Sequence, residues 1–425
     1  MQFNSTQLDN GLTVITDYVP NTEAVSIQWA LRSGAIHEDI HGTAHFLEHM
    51  LAAGKAKSGE KMVDALSEAS VSYNLLTSNH NIKVFSNTVL EYLPEALSII
   101  GDAVSDPVWD SEALERERQT ILREYYEGED NIPISVIQIG WSRPNGNHAF
   151  ARKNTLGTPD TINQISNEVL LEYHASHFHA QRMAVVISGQ IDHEVCVEYV
   201  SKSFGAIPKG NAAQSIEMPE FNAQNLYNIY KSEGLNNVYI NFEAPPKGQY
   251  ENGMYGVRDI LNRQLSKVFR DKGYSYSSPE IDYKSEEGYG RFGILFAVDG
   301  EILDKTILET VDLLQSPSSW ITEDVLKKRN KFLLKSRARM DTDPDERAYS
   351  IVSEYQKLGA IQCYESIMTA FRGVTMEQIQ RAYDQLDPTR FNIVVGGPAQ
   401  KLLTPDQILE RLNPPTAQSE FNTLG

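Results

Sequence analysis

Short strand-like apolar runs and long amphipathic helical stretches follow one another along the chain. The clearest strand-like runs, in which apolar residues alternate or cluster, cover residues 13–15, 25–31, 83–87, 238–242 and 293–298. Longer segments such as residues 109–124 carry apolar residues at helical spacing. Because strands and helices are clustered instead of strictly alternating, the pattern predicts an α+β fold with helices packed on one face of a sheet.

Two segments recur at nearly the same spacing, which indicates an internal duplication. RMAVVISG at residues 182–189 matches RFNIVVGG at residues 390–397, an offset of 208 residues. WDSEALERERQTILRE at residues 109–124 matches WITEDVLKKRNKFLLK at residues 320–335, an offset of 211 residues. The common order and spacing predict two homologous halves.

The boundary between the halves is predicted in IPKGNAAQSIEMPEF, residues 207–221, which is rich in proline, glycine and small polar residues. We therefore expect an N-terminal half at residues 1–212, a linker at 213–221 and a C-terminal half at 222–425. A chain of 425 residues is too long for one ordinary core and suits two such domains.

Charge and composition narrow the functional classes. The net charge of −19 argues against nucleic-acid binding, because phosphates require a basic face. The sequence has no apolar run of about 18 residues and no secretory signal, so no membrane partner is expected. Its two cysteines, Cys196 and Cys363, cannot form a disulfide framework. They fit a reducing compartment, and we predict a cytoplasmic protein.

The candidate catalytic motif is H-F-L-E-H at residues 45–49. His45 and His49 are four residues apart, so on a helix both imidazoles can reach one ion. Zinc prefers such ligands and keeps one position for water in catalytic sites. Glu48 lies beside the same helix face and can act on that water as a general base. The motif predicts one zinc ion per chain.

A third ligand must come from elsewhere in the chain. The helical sequence LERERQTILRE at residues 114–124 offers Glu117 and Glu124, which share one face. Glu124 would complete a His₂Glu site, and Glu117 would orient a ligand. Both acids could instead be solvated partners of the neighbouring arginines. Their counterparts in the second copy are Lys328 and Lys335, a change that favours a metal site confined to the first half.

With these residues the chain resembles the pitrilysin and mitochondrial-processing-peptidase family of inverted-zinc-motif metallopeptidases. The resemblance rests on H-F-L-E-H followed by Glu124 in ILRE, and it extends through LDNGLTVI, the N-x-x-T of Asn74 and Thr77, NTLGTPDTI and KGYSYS. It implies two α/β-roll halves that form a clamshell around a chamber for unfolded peptides. The N-terminal half would carry the zinc site. The C-terminal half, without metal, would contact substrate.

The resemblance also implies substrate-binding residues. Asn74 would hold the substrate main chain beside an edge strand, although an ordinary strand-end role is equally open. Tyr276 falls where the family has a substrate-binding tyrosine. Phe269 occupies the register of the family arginine, and Arg270 lies one residue nearer to the following glycine. Arg270 is therefore the candidate for the arginine role.

Together these features predict a zinc metalloendopeptidase that hydrolyses internal bonds of peptides or extended protein segments. The main alternative is a non-catalytic or partner-dependent peptide-binding or processing subunit of a heterodimer. A zinc hydrolase of small molecules is a third hypothesis. The complete ligand set and Glu48 favour the peptidase. Some relatives divide the zinc site and the Arg–Tyr element between two chains, so the displaced Arg270 leaves both a homodimer and a heterodimer with a homologous subunit open.

Overall fold

The computed structural model describes most of the chain. The described residues are 3–54, 59, 61–146, 148–149, 152, 154–213, 220–223, 225–274, 278–286, 288–337 and 340–412. Residues 214–219 of the predicted linker, and Tyr276, lie outside them.

Eleven strands and fifteen α-helices occur in the described residues. The strands are β1 (Phe3–Gln7), β2 (Thr13–Tyr18), β3 (Ala24–Leu31), β4 (Ser72–Thr77), β5 (Ile82–Val89), β6 (Met183–Gly189), β7 (Asn225–Tyr230), β8 (Asn236–Glu243), β9 (Glu280–Glu286), β10 (Tyr289–Val298) and β11 (Phe391–Gly397). The helices are α1 (Thr43–Ala53), α2 (Met62–Glu68), α3 (Leu93–Ser105), α4 (Ser111–Asp130), α5 (Ile132–Ser142), α6 (Pro159–Gln164), α7 (Asn167–His177), α8 (His193–Phe204), α9 (Glu251–Lys272), α10 (Leu303–Gln315), α11 (Glu323–Arg337), α12 (Pro344–Leu358), α13 (Tyr364–Arg372), α14 (Met376–Tyr383) and α15 (Pro405–Leu412). Among the helices of this part of the chain, none combines the length and apolarity that a membrane crossing requires.

The chain divides into two compact units. Unit 1 comprises Met1–Asp130, Asn147–Pro219 and Asn330–Gly373, and unit 2 comprises Asn131–Gly146, Glu220–Arg329 and Val374–Gly425. The described strands of unit 1 form a sheet of order β1-β2-β6-β3-β5-β4, and those of unit 2 form a sheet of order β7-β11-β8-β10-β9.

Apart from β1, the two sheets have the same order of equivalent strands. β2 and β6 pair in parallel, and so do β7 and β11. Every other pairing between described strands is antiparallel. The predicted α+β fold with two homologous halves is therefore confirmed at the level of strand topology.

Both faces of the unit 1 sheet are covered by helices. On one face, helices of the N-terminal half enclose a core that includes Trp29, Phe46 and Leu97. On the other face, Ile351 and Val352 of α12 pack against apolar residues of β2, β3 and β6. As a result, β3 and β6 are buried along almost their whole length.

Buried polar groups also fix α12 to this sheet. Arg347 donates two hydrogen bonds to the carboxylate of Asp17 on β2, at 2.6 and 2.7 Å. It also donates to Glu365 on α13 at 2.6 Å. The Arg347 and Asp17 side chains are 4% and 1% exposed, so this ion pair is shielded from water.

The sheet of unit 2 is covered on one face by α5. Val136 of this helix packs against Tyr239 of β8. Trp141 donates its indole N–H to the Tyr239 hydroxyl at 2.6 Å. Arg291 of β10 donates to the carbonyl oxygen of Gly140 at 3.0 Å. Apolar packing and hydrogen bonds thus both hold α5 in place.

The compact units differ from the continuous segments 1–212 and 222–425 expected from the sequence. Residues 131–146, which contain α5, belong to unit 2, whereas residues 330–373, which contain α12 and α13, belong to unit 1. Composition identifies a connection between the repeats, but it does not indicate which sheet an amphipathic helix will cover. Each half of the sequence therefore contributes one segment to the unit centred on the other half's sheet.

Candidate metal centre

The helix α1 carries the H-F-L-E-H motif inside the core of unit 1. Its apolar residues Phe46, Leu47 and Met50 are fully buried. His45 and Glu48 are buried with them, at 7% and 9% exposure. Polar side chains in an apolar environment are costly unless they have partners, so these two positions suggest a functional role.

The helix α4 packs against α1 and is anchored from its buried side. Asp110 accepts the backbone N–H of Ala113 at 2.6 Å at the start of the helix. Further along, the Arg118 guanidinium donates to the carbonyl oxygens of Ile162 and Ile165. These contacts fix the rotation of α4 and thereby the face that carries its acidic residues.

The three expected ligands converge between these helices. The Nε2 atom of His45 lies 3.7 Å from Oε2 of Glu124, and Nε2 of His49 lies 3.5 Å from the same oxygen. One ligand atom from each of the three residues falls within 4.8 Å of the others. Donors bound tetrahedrally to zinc at about 2.0 Å are about 3.3 Å apart. The set of two imidazoles and one carboxylate therefore fits a zinc ion, and the described residues contain no second such group.

Glu117 contacts the other ring nitrogen of His49. Its Oε2 atom lies 3.3 Å from Nδ1 of His49, which leaves Nε2 directed towards Glu124. A carboxylate in this position fixes the tautomer and orientation of a metal-binding histidine. The residue that the sequence suggested as an orienting group thus lies beside a candidate ligand.

The two histidines have opposite electrostatic environments. Burial disfavours the charged form of His49, but hydrogen bonding to Glu117 and Glu124 outweighs it and raises the pKa of His49 to about 9. Burial, together with the cationic His49, lowers the pKa of His45 to about 4, although Glu124 opposes the shift. The hydrogen bond from His49 in turn lowers the pKa of Glu124. Without metal, the centre therefore holds a cationic His49 between two carboxylates.

Glu48, the candidate general base, lies in a buried environment. Burial raises the pKa of its carboxyl group, while the Thr77 side chain and His49 act in the opposite direction. Its Oε2 atom is buried and has no hydrogen-bond partner among the described residues. A buried carboxylate oxygen without a partner suits a group that acts on a water molecule.

Two family models match the chain. Residues 13–147 match the insulinase family, peptidase family M16, and residues 164–325 match the peptidase M16 inactive domain. The chain belongs to peptidase family M16. The resemblance inferred from the H-F-L-E-H motif is thereby confirmed.

Several relatives are named as peptidases. The mitochondrial-processing peptidase subunit beta of Saccharomyces cerevisiae is 30% identical over 218 residues, which cover 51% of this chain and 47% of that protein. An uncharacterized zinc protease of Rickettsia bellii is 28% identical over 211 residues, covering 49% of this chain and 51% of the relative. An uncharacterized zinc protease of Bacillus subtilis is 24% identical over 322 residues, covering 72% and 77%. The chain spans about half the length of the first two relatives in these matches.

Solved structures share the fold over nearly the whole chain. A protease from Helicobacter pylori aligns with a TM-score of 0.82 and 17% identity, covering 93% of this chain and 99% of that one. A peptidase M16 inactive domain from Pseudomonas fluorescens aligns with a TM-score of 0.85 and 16% identity, covering 95% and 100%. At such low identity, these matches support the fold alone.

Asn74 lies on the strand β4, which has a described neighbour only on the β5 side. β4 also packs against α1. The Asn74 side chain is exposed, and its Oδ1 accepts the backbone N–H of Leu75 at 3.0 Å. Tyr73 and Leu76 on the same strand are large and exposed. The structure thus places Asn74 on an edge strand next to the motif helix.

The two remaining residues suggested for substrate binding lie in the C-terminal half. Arg270 is exposed in the last turn of α9, within unit 2. Phe269, which occupies the arginine register of the family, is buried against Tyr274 and Phe296 in the unit 2 core. Because Phe269 is in the core, the exposed cations of this turn are Arg270 and Lys272, and Lys272 pairs with Glu309 at 2.7 Å. Tyr276 lies outside the described residues.

The sequence patterns did not single out Glu38 or assign a role to Thr77. Glu38 is buried and accepts hydrogen bonds at the start of α1. Its position four residues before a glycine that begins a helix was the available signal. Thr77 ends β4 and influences Glu48. That proximity depends on how β4 packs against α1, which local sequence does not show.

Proposed function

We propose that this chain is a zinc metalloendopeptidase that binds one zinc ion per chain. The observation that carries this proposal is the convergence of His45, His49 and Glu124 beside Glu48. Membership of family M16 and the naming of two relatives as zinc proteases support it.

In this proposal His45, His49 and Glu124 hold the metal, and Glu117 keeps His49 in the binding orientation. Bound zinc supplies Lewis-acid activation of a water molecule and polarisation of the scissile carbonyl group. Glu48 accepts the proton of that water and later donates it to the leaving amine. Burial raises the pKa of Glu48, which reduces the free-energy difference between its proton-accepting and proton-donating forms and so suits transfer in both directions.

The proposed substrates are peptides or extended segments of unfolded protein. The exposed edge of β4 offers main-chain groups to such a segment, and Asn74 would help to hold it by β-augmentation. Arg270 and Tyr276 are proposed to contact substrate from the C-terminal half, as the family resemblance implies. A chamber enclosed by the two halves would admit extended chains and exclude folded domains.

A second candidate function is a partner-dependent processing subunit. The yeast relative is named as a subunit, which favours an assembly of homologous chains. The match of residues 164–325 to a domain described as inactive agrees with a non-catalytic role for the C-terminal half. A homodimer and a heterodimer both satisfy this hypothesis, and a cytoplasmic location remains part of the proposal.

Metal analysis and a cleavage assay on the chain purified alone test the proposal. We expect one zinc per chain and cleavage of a mixed peptide library that stops when a chelator is added. Glu48→Gln should retain zinc and lose cleavage by a factor of about 100 or more, because it removes the base without removing a ligand. Absence of bound zinc, or undiminished cleavage by E48Q, would contradict the mechanism. Cleavage that appears only with a homologous partner chain would favour the second candidate.

A further inference from the structure

The first turn of the motif helix has no cap of its own. Gly42 precedes α1 with a φ of 101° and offers no side chain to the free N–H groups of the helix start. Unsatisfied amides in a buried first turn are destabilising, and a side-chain oxygen usually accepts them. The partner must therefore come from outside the helix.

Glu38 supplies that partner. One carboxylate oxygen accepts the N–H of Gly42 at 2.8 Å, and the other accepts the N–H of Ala44 at 2.8 Å. The Glu38 side chain is completely buried. A negative charge at this end of the helix is also favoured by the helix dipole.

Arg152 holds this buried carboxylate in place. Its Nη1 atom donates to Oε1 of Glu38 at 3.0 Å and to the carbonyl oxygen of Ala35 at 2.7 Å. Its Nη2 atom donates to the carbonyl oxygen of Glu38 at 3.2 Å. Burial raises the pKa of the Glu38 carboxyl group to about 7, and the guanidinium opposes that shift by favouring the ionised form. Arg152 also fixes the backbone that leads into α1.

The helix start is also closely packed. A Cβ atom at Gly42 would lie 2.4 Å from the carbonyl oxygen of Leu156. The Nε2 atom of His41 lies 2.7 Å from the carbonyl oxygen of Asn154. The segment before α1 therefore has little room to shift, and Glu38 acts on a backbone that is already confined.

His45 depends on this first turn in a way that His49 does not. His49 has Glu117 on its second ring nitrogen. The Nδ1 atom of His45 is buried without a hydrogen-bond partner among the described residues. Within the described residues, no side chain orients the His45 ring through Nδ1. The position of the ring therefore depends mainly on the backbone of His45. That backbone directly follows Ala44, whose N–H is bound by Glu38.

We propose that Glu38 is a positioning residue for the metal centre. By capping the first turn of α1, it holds His45 in the place where His49 and Glu124 can share an ion with it. The inference rests on the proposed zinc site. In this inference Glu38 orients His45, as Glu117 orients His49.

Zinc affinity of Glu38→Gln, measured by competition with a chromophoric chelator, tests this role. The amide keeps the shape of the side chain but directs N–H groups towards a backbone N–H or towards Arg152. We expect zinc affinity to fall on the order of 10-fold, with a change in the absorption spectrum of the cobalt-substituted protein. Asp192→Ala is the matched control, because it removes the acidic cap of α8, which carries no ligand.

The inference is overturned if E38Q binds zinc as tightly as the unaltered protein, or if D192A weakens binding equally. Failure of the unaltered protein to bind zinc would instead contradict the proposed function. Hydrogen exchange of the unaltered, zinc-free protein provides a measurement that needs no variant. The Gly42 and Ala44 amides should be protected, and rapid exchange at both would also overturn the role of Glu38.

Discussion

Zinc binding should displace a proton from His49. In the zinc-free protein, hydrogen bonding to Glu117 and Glu124 raises the pKa of His49 to about 9. The imidazole must lose this proton before Nε2 can bind a metal. His45 makes no comparable demand near neutral pH, because burial lowers its pKa to about 4.

The size of the effect follows from the distance between the pKa and the working pH. At pH 7, about two units below the pKa of His49, proton competition should weaken apparent zinc affinity by about 100-fold relative to a deprotonated site. Because His49 loses its proton as the pH rises, apparent zinc affinity should increase about tenfold per pH unit up to about pH 9. Glu117→Gln removes one of the carboxylates that stabilise the cation. The pKa of His49 should therefore fall in this variant.

The assay is zinc affinity measured between pH 6.5 and 9 for the unaltered protein and E117Q. Zinc affinity should depend more steeply on pH in the unaltered protein. Both proteins are compared over the same pH range, so that titration of a zinc-bound water contributes equally to both profiles. A nuclear magnetic resonance titration of zinc-free protein should show the His49 ring titrating near pH 9. Parallel pH profiles for the two proteins, with His49 titrating near its ordinary pKa, would refute the reasoning.

Two further predictions concern α12, which the C-terminal half of the sequence contributes to unit 1. Arg347→Met leaves the Asp17 carboxylate buried without its cation, so the free energy of unfolding of unit 1 should fall by about 3–5 kcal/mol in urea denaturation of zinc-free protein. Residues 1–212 expressed alone lack α12, which covers Ile15 and Val186, and should aggregate or remain unfolded by circular dichroism. Coexpression with residues 213–425 should restore a soluble complex.

The control for R347M is a substitution that removes an exposed ion pair. Arg381→Met removes an ion pair with Glu377 in which both side chains are about 70% exposed, and it should change stability only slightly. Equal losses from R347M and R381M would contradict the importance of burial. A cooperatively folded 1–212 fragment would show that the sheet of unit 1 does not need α12.

Local sequence signals were sufficient to predict which candidate ligands share a helix face. The four-residue spacing of His45 and His49 identifies one helix face, and the seven-residue spacing of Glu117 and Glu124 identifies another. In the second half, lysines stand at the positions that match these two acids. Each pair lies within a few turns of one helix, so helical periodicity was enough to define the two faces. The structure brings the two faces together.

Long-range contacts could not be predicted in the same way. Arg118 and Arg329 occupy matching positions in the repeats, yet Arg118 donates to carbonyl oxygens of Ile162 and Ile165, whereas Arg329 pairs with Asp259. Likewise, the position of Glu38 four residues before Gly42 does not by itself show that its carboxylate turns back onto α1. Such partners depend on tertiary packing, which local spacing does not specify.

The crossing of α5 and α12 between the repeats has an evolutionary consequence. A half-length ancestor with the same topology would have lacked a covering helix on one sheet face, and a second copy could have supplied it through reciprocal domain swapping. Gene fusion would then have converted an intermolecular exchange into an intramolecular one. After fusion, one repeat could lose its metal residues while its helix was still required by the other repeat.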